Sequence, residues 1–241
     1  MKPEGLAKSL EFLVESFLEW VRCLRAPLKT AQAILADAQD DLDAIRRAMK
    51  LWIVAFVLGA VLQAGIYRLH GISLSDVSFY LSTGMLFLLM LFAFVLALHF
   101  GFRIFRLRAP FRDTFVVYTV LLSALSPFLA ILALPSSFRL LRVLSTLKGE
   151  KPDLGEGIRR YFELTSTQAD TLLGVLNSLS SVAISVFYLC VAAMVFAELS
   201  RRWSMERAQI FNAGSFGMVL FGLVPAIPLA AIQIITLYSF L

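Results

Sequence analysis

Few residues in this sequence have the types and spacing that catalysis requires. The two histidines, His70 and His99, lie near the ends of apolar runs and offer little for general acid–base chemistry. The two cysteines, Cys23 and Cys190, form neither a metal motif nor a disulfide framework. The sequence has no Gly-x-Ser-x-Gly motif and no glycine-rich phosphate loop with a lysine. This pattern predicts a protein that is not an enzyme and that carries no cofactor.

One acidic cluster resembles a cation site only in composition. It consists of Asp37, Asp40, Asp41 and Asp43. A calcium loop would need alternating acidic or amide residues, a glycine turn and a later glutamate, and none of these follows. The cluster is therefore predicted to be the solvated face of a helix, and no metal site is expected.

The composition points to a bilayer as the solvent of this chain. Hydrophobic residues make up 59% of it, charged residues only 16%, and the mean hydropathy is +0.79. Five long runs contain no Asp, Glu, Lys or Arg, and crossing the hydrocarbon takes about 20 residues. The runs are 51–67, 79–102, 114–138, 171–197 and 208–241. We predict an all-α, polytopic helical membrane protein with about five transmembrane helices.

The charged residues lie between these runs and set the expected orientation. Of 22 Lys and Arg residues, 15 fall on the side of the N-terminus. The positive-inside rule therefore predicts a cytoplasmic N-terminus and an external C-terminus, in the cytoplasmic (inner) membrane if the source is prokaryotic. The same placement explains the net charge of +5 without nucleic acid as a partner.

Residues 1–50 are predicted to form a cytoplasmic segment ahead of a five-helix transmembrane domain, 51–241. Two apolar stripes with helical spacing predict a pair of amphipathic helices here, one before and one after Pro27. The second stripe needs a cover, and its acidic opposite face favours a protein over an anionic lipid surface. Its cover would be the first stripe or a second chain, which makes it a candidate partner-docking surface. The docking residues are Leu28, Leu35, Leu42, Ile45 and Met49.

Several polar or kink-forming residues lie inside the apolar runs. Pro127, Pro225 and Pro228 free backbone carbonyls that need partners in a neighbouring helix or water. Asn177 and Ser181 could line a pathway or could join helices by hydrogen bonds. The joining role is the commoner one and is favoured here. Proton relays usually place an ionisable group in the membrane, so the absence of such groups from the runs disfavours an ion-coupled carrier.

The layout resembles the Yip family, the Rab-interacting membrane proteins and their prokaryotic relatives. The likeness rests on the proline-containing stretch 25–30 and on 109–115 running into Tyr118 and 126–128. The acidic and Gly-Pro motifs of eukaryotic members are not evident, so Rab binding is not carried over. The resemblance implies a membrane-organising or partner-binding role with no catalytic residues.

Taken with the residues, this favours a non-enzymatic integral membrane protein that scaffolds, anchors or modulates a protein partner or a membrane complex. Its expected partners are the lipid bilayer and either another protein or further copies of itself. The alternative is a small transporter or channel for a neutral or lipid-like substrate.

Overall fold

The computed structural model describes residues 3–69, 77–132 and 172–219, together with positions 156, 159 and 163. Every regular element in these ranges is a helix, which confirms the predicted all-α class for this part of the chain. The helices are α1 (Pro3–Arg25), α2 (Pro27–Asp37), α3 (Asp41–Leu69), α4 (Val77–Ile104), α5 (Phe111–Leu132), α6 (Leu172–Trp203) and α7 (Arg207–Gly217).

The N-terminal segment folds differently from the predicted pair of helices. The second stripe does not lie on one helix, because α2 ends at Asp37 and α3 begins at Asp41. The break comes from local capping: Asp40 accepts a hydrogen bond from the Asp43 amide at 2.7 Å, and Asp43 accepts one from the Gln39 amide at 3.3 Å. These bonds satisfy free amides at a helix start. Part of the acidic cluster therefore caps α3, which then continues past position 50 into the first apolar run.

α5 is the central helix of the described structure. All side chains from Asp113 to Leu121 are buried, because α1, α2, α3, α4 and α6 pack against it. An ion pair of 3.0 Å between Asp41 and Arg112 places the start of α3 beside the start of α5, so the two helices run parallel.

The helices α4 and α6 run antiparallel to α5. The C-terminal end of α6 contacts Asp113, while Ser180 near its beginning donates a hydrogen bond to the Leu132 carbonyl. On α4, Phe92 contacts Phe115 with tilted rings, and His99 contacts Phe111 edge to face. These directions bring the starts of α3 and α5 and the ends of α4 and α6 to one end of the bundle.

Large apolar side chains point outward at the other end of the bundle. They lie on the second half of α5, on the middle of α3 and on the first half of α6. The set includes Ile53, Val57, Val61, Phe128, Ile131, Val182, Val186 and Leu189. Exposed apolar patches of this kind are rare on a soluble monomer and mark contact with a membrane or another protein.

Within the described residues, one helical stretch, Gly174–Trp203, is long and apolar enough to cross a bilayer, and 22% of its apolar window is buried. A shorter apolar helix covers Leu88–Ile104. The predicted runs 51–67, 79–102 and 171–197 lie within α3, α4 and α6 apart from position 171. The stretches 133–138 and 220–241 of the other two runs lie outside the described residues. That the chain crosses the membrane five times therefore stays a prediction.

Candidate functional site

The most concentrated polar chemistry in the described structure surrounds Asp113, in the first turn of α5. This side chain is only 3% exposed. Its Oδ2 accepts hydrogen bonds from Arg202 Nε at 2.7 Å and from Trp203 Nε1 at 3.0 Å. Its Oδ1 accepts from Arg112 Nε at 3.4 Å. Hydrogen bonds to both oxygens hold this carboxylate in one orientation.

Arg112 extends this contact to a third helix. Besides Asp113, its guanidinium pairs with Asp41 at 3.0 Å. Asp113 and its donors therefore fasten the start of α3, the start of α5 and the end of α6 to one another. Buried charges remain in proteins only when they are paired in this way.

A second buried carboxylate, Glu198, lies one turn earlier on α6. It is 5% exposed and binds Arg201 through both oxygens, at 2.7 Å to Nη2 and 3.1 Å to Nε. Gln32 of α2 donates to the same carboxylate at 3.1 Å. Glu198 therefore connects the N-terminal segment to the end of α6. We call Asp113, Glu198 and their donors the carboxylate network.

The N-terminal helix α1 is held against α5 by a carbonyl that Pro127 leaves free. Pro127 has no amide hydrogen, so the carbonyl of Ser123, four residues earlier, has no helical donor. That carbonyl accepts hydrogen bonds from Trp20 Nε1 at 3.1 Å and from Ser126 Oγ at 3.0 Å. One turn away, the buried Cys23 thiol points at the Val120 carbonyl, with 3.8 Å between sulfur and oxygen. α1 therefore docks antiparallel along α5.

These contacts also decide the chemistry of Cys23. Burial raises the pKa of its thiol to about 11, and the hydrogen bond with Thr30 only partly opposes this. The thiol is therefore protonated near neutral pH, whereas nucleophilic attack needs the thiolate. Cys23 acts here as a small buried side chain with a weak donor.

The predicted docking stripe is mostly turned inward. Leu35 belongs to the buried core, and Leu28, Ile45 and Met49 are partly buried against it. Leu42, in contrast, is 61% exposed. The chain itself thus covers most of the stripe, using α5 and the rest of the bundle as well as α1. The docking role assigned to these five residues stays a prediction.

The predicted intramembrane polar and kink residues have different surroundings. Pro127 lies inside α5, with the freed carbonyl described above. Ser181 is exposed on α6, and its carbonyl accepts a hydrogen bond from Ser185 Oγ at 2.9 Å. Asn177 lies on α6 but its side chain is outside the described residues, as are Pro225 and Pro228.

The helices α4 and α7 cross at close range where each carries an alanine and a glycine four residues apart. A Cβ added at Gly101 would lie 2.8 Å from the Gly217 Cα, so neither position has room for a side chain. Ala97 and Ala213 flank the contact, which gives two small residues four apart on each helix. Such pairs allow close backbone approach between membrane helices. The spacing of the glycines alone does not show this pattern, because the second small residue on each helix is an alanine.

Among the described residues, no group of three or more His, Cys, Asp or Glu side chains is arranged to hold a metal ion. Comparison of the chain with protein-family models, with curated proteins and with solved structures finds no match in any of the three. The Yip-family resemblance therefore stays a prediction.

Proposed function

We propose that this chain is a non-enzymatic, multi-pass membrane protein that anchors a protein partner through the outer face of α1. One observation carries the proposal. α1 is fastened on one side by Trp20 and Cys23, yet its other side exposes apolar residues that the bundle does not cover. A helix held in place with an uncovered apolar face is a ready-made contact surface.

The composition of this face favours a protein over the bilayer core. Its exposed apolar residues are Val14, Phe17 and Leu18. Glu11 and Glu15 are exposed on the same side of the helix. Charges next to the apolar stripe disfavour burial in hydrocarbon, because a carboxylate in lipid is costly. The matching partner is an amphipathic segment with apolar and basic residues.

The carboxylate network supports a structural role over a catalytic one. The oxygens of Asp113 and Glu198 already accept hydrogen bonds from arginine, tryptophan or glutamine donors. A general acid or base needs a carboxyl group that can exchange a proton with a substrate. Here both groups join helix ends and hold the N-terminal helices on the bundle.

Membrane insertion is supported by the apolar helix Gly174–Trp203 and by the outward apolar side chains of α3, α5 and α6. Under this proposal the apolar half of the bundle lies in lipid, and the carboxylate network lies at the cytoplasmic end. Resistance to alkaline carbonate extraction from cell membranes is the direct test. Release of the full chain into the soluble fraction would contradict insertion.

Anchoring is tested by site-specific photo-crosslinking in cells. A photoreactive amino acid at Val14 or Leu18 is expected to form an adduct with one protein species. The control position is Ala36, which is exposed on α2 away from this face. Charge reversal by Glu11→Lys with Glu15→Lys should abolish the adduct while membrane abundance stays normal. Equal adducts from Ala36, adducts with lipid alone, or adducts that survive charge reversal would refute anchoring by this face.

A further inference from the structure

Four arginines at the network end of the bundle have no carboxylate partner among the described residues. Arg103, Arg106 and Arg108 belong to the end of α4 and the turn after it, and Arg207 begins α7. All four are exposed. The stretch 103–112 contains no acidic residue, and the next acid, Asp113, is already engaged by Arg112, Arg202 and Trp203.

The crossing of α4 and α7 brings Arg207 toward the other three. Gly101 lies against both Ala213 and Gly217, whereas Ala97, one turn earlier on α4, lies against Gly217. The two helices are therefore antiparallel at the crossing. The first residue of α7 consequently lies toward the C-terminal end of α4, which the turn with Arg106 and Arg108 follows.

The turn after α4 begins with Arg106 in the backbone conformation of a helix C-cap. Arg106 has a φ of 57°, in the left-handed region that glycine and asparagine adopt most easily. Two backbone hydrogen bonds hold this conformation and end α4: the Leu107 amide donates to the Phe102 carbonyl at 2.9 Å, and the Arg106 amide donates to the Arg103 carbonyl at 3.0 Å. The Arg106 side chain is exposed.

Aromatic rings lie next to these charges on the outside of the protein. Phe105 and Phe216 are exposed and pack edge to face, with ring centroids 5.6 Å apart. Phe100 is exposed one turn earlier on α4. We call Arg103, Arg106, Arg108 and Arg207, with Phe100, Phe105 and Phe216, the arginine–phenylalanine patch.

From this combination we infer that the patch binds the headgroup of an anionic phospholipid of the cytoplasmic leaflet. Guanidinium groups form forked hydrogen bonds with phosphate oxygens. Aromatic side chains favour the depth at which headgroups meet acyl chains. The inference rests on the proposed insertion in the membrane, and it adds a lipid partner at a surface distinct from the outer face of α1.

The test uses the full chain in lipid nanodiscs that contain phosphatidylcholine with or without phosphatidylglycerol. Native mass spectrometry after release from the nanodisc measures which lipid stays bound. We expect preferential retention of phosphatidylglycerol, and binding about fivefold weaker for each arginine removed. The variant Arg103→Gln/Arg106→Gln/Arg108→Gln should lose the preference.

The matched control removes three exposed basic side chains from α1 and α2 through Arg22→Gln/Arg25→Gln/Lys29→Gln. It changes the net charge by the same amount and should keep the preference. Equal loss in both variants would show general electrostatic attraction and overturn the site. So would equal retention of the two lipids, or stabilisation of the chain by inorganic phosphate alone. Extraction by alkaline carbonate tests the proposed insertion separately, so an inserted chain without lipid preference refutes only this inference.

Discussion

Replacement of Asp113 by asparagine is the sharpest test of the carboxylate network. The change keeps the shape of the side chain but removes the charge that holds Arg112, Arg202 and Trp203. Breaking a fully buried ion pair costs about 3–5 kcal/mol. The side chains of Arg112 and Arg202 are 25% and 28% exposed, so water replaces part of the lost contact. We therefore expect a loss of about 2–3 kcal/mol in the free energy of unfolding.

Thermal unfolding of the detergent-solubilised chain, followed by tryptophan fluorescence, measures this loss. For a chain of this length it corresponds to a fall in Tm of about 5–10 °C. The control is Glu206→Gln, since Glu206 is exposed and makes no capping hydrogen bond. That variant should stay within about 0.5 kcal/mol of the parent. Adding Arg202→Gln to Asp113→Asn should cost less than the two single changes together, because they share one contact. An Asp113→Asn variant that unfolds like the Glu206→Gln control would refute the stabilising role of the network.

Three further changes test the packing and the membrane exposure. Gly101→Ala should lower the Tm because the helix crossing has no room for a methyl group, whereas Gly59→Ala, in open space, should leave it equal or higher. Leu35→Ala should cost about 2–5 kcal/mol of stability in thermal unfolding, while Leu42→Ala should have little effect. An equal cost at both positions would contradict the inward placement of the stripe. A hydrophilic maleimide should label Cys190 slowly in intact membranes and readily in denatured protein, although the side chain is exposed in the structure. Rapid labelling in membranes would place that face of α6 in water.

The pH dependence of stability follows from Cys23. Burial raises the pKa of this thiol from 9.0 to about 11, so the folded state keeps a proton that the unfolded state releases above pH 9. The contribution of the buried neutral thiol is complete below pH 9 and is lost as the pH rises toward 11. The variant Cys23→Ala should show a smaller decrease in Tm between these two pH values. An unchanged decrease would show that other groups cause it.

The helices themselves were within reach of sequence reasoning, because apolar spacing and runs without charge are local signals. The break between α2 and α3 was missed, although Asp40 and Asp43 have the spacing of a helix cap. That signal competes with a stripe that continues unbroken through Leu35 and Leu42. A spacing pattern identifies an apolar face but not the end of the helix that carries it.

The partners of Asp113 could not be predicted from the sequence because they are distant along the chain. Arg202 and Trp203 lie 89 and 90 residues away along the chain, and no local pattern links them. Membrane topology explains charges near the ends of apolar runs, but it does not predict that two of them, Asp113 and Glu198, are buried. Pro127 lacks an amide hydrogen by its own chemistry, but the donor that reaches the freed carbonyl, Trp20, could not be chosen from the sequence.

The bond between Trp20 and the Ser123 carbonyl has a consequence for biosynthesis. Trp20 is synthesised 103 residues before its acceptor, which at about 5–20 residues per second is an interval of about 5–20 s. Throughout that interval the inner side of α1 has no α5 to pack against. Docking of α1 is therefore a late event that follows the completion of α5. A nascent chain arrested before that point presents the apolar side of α1 to chaperones and proteases, so the accessibility of this side reports whether α5 has been completed.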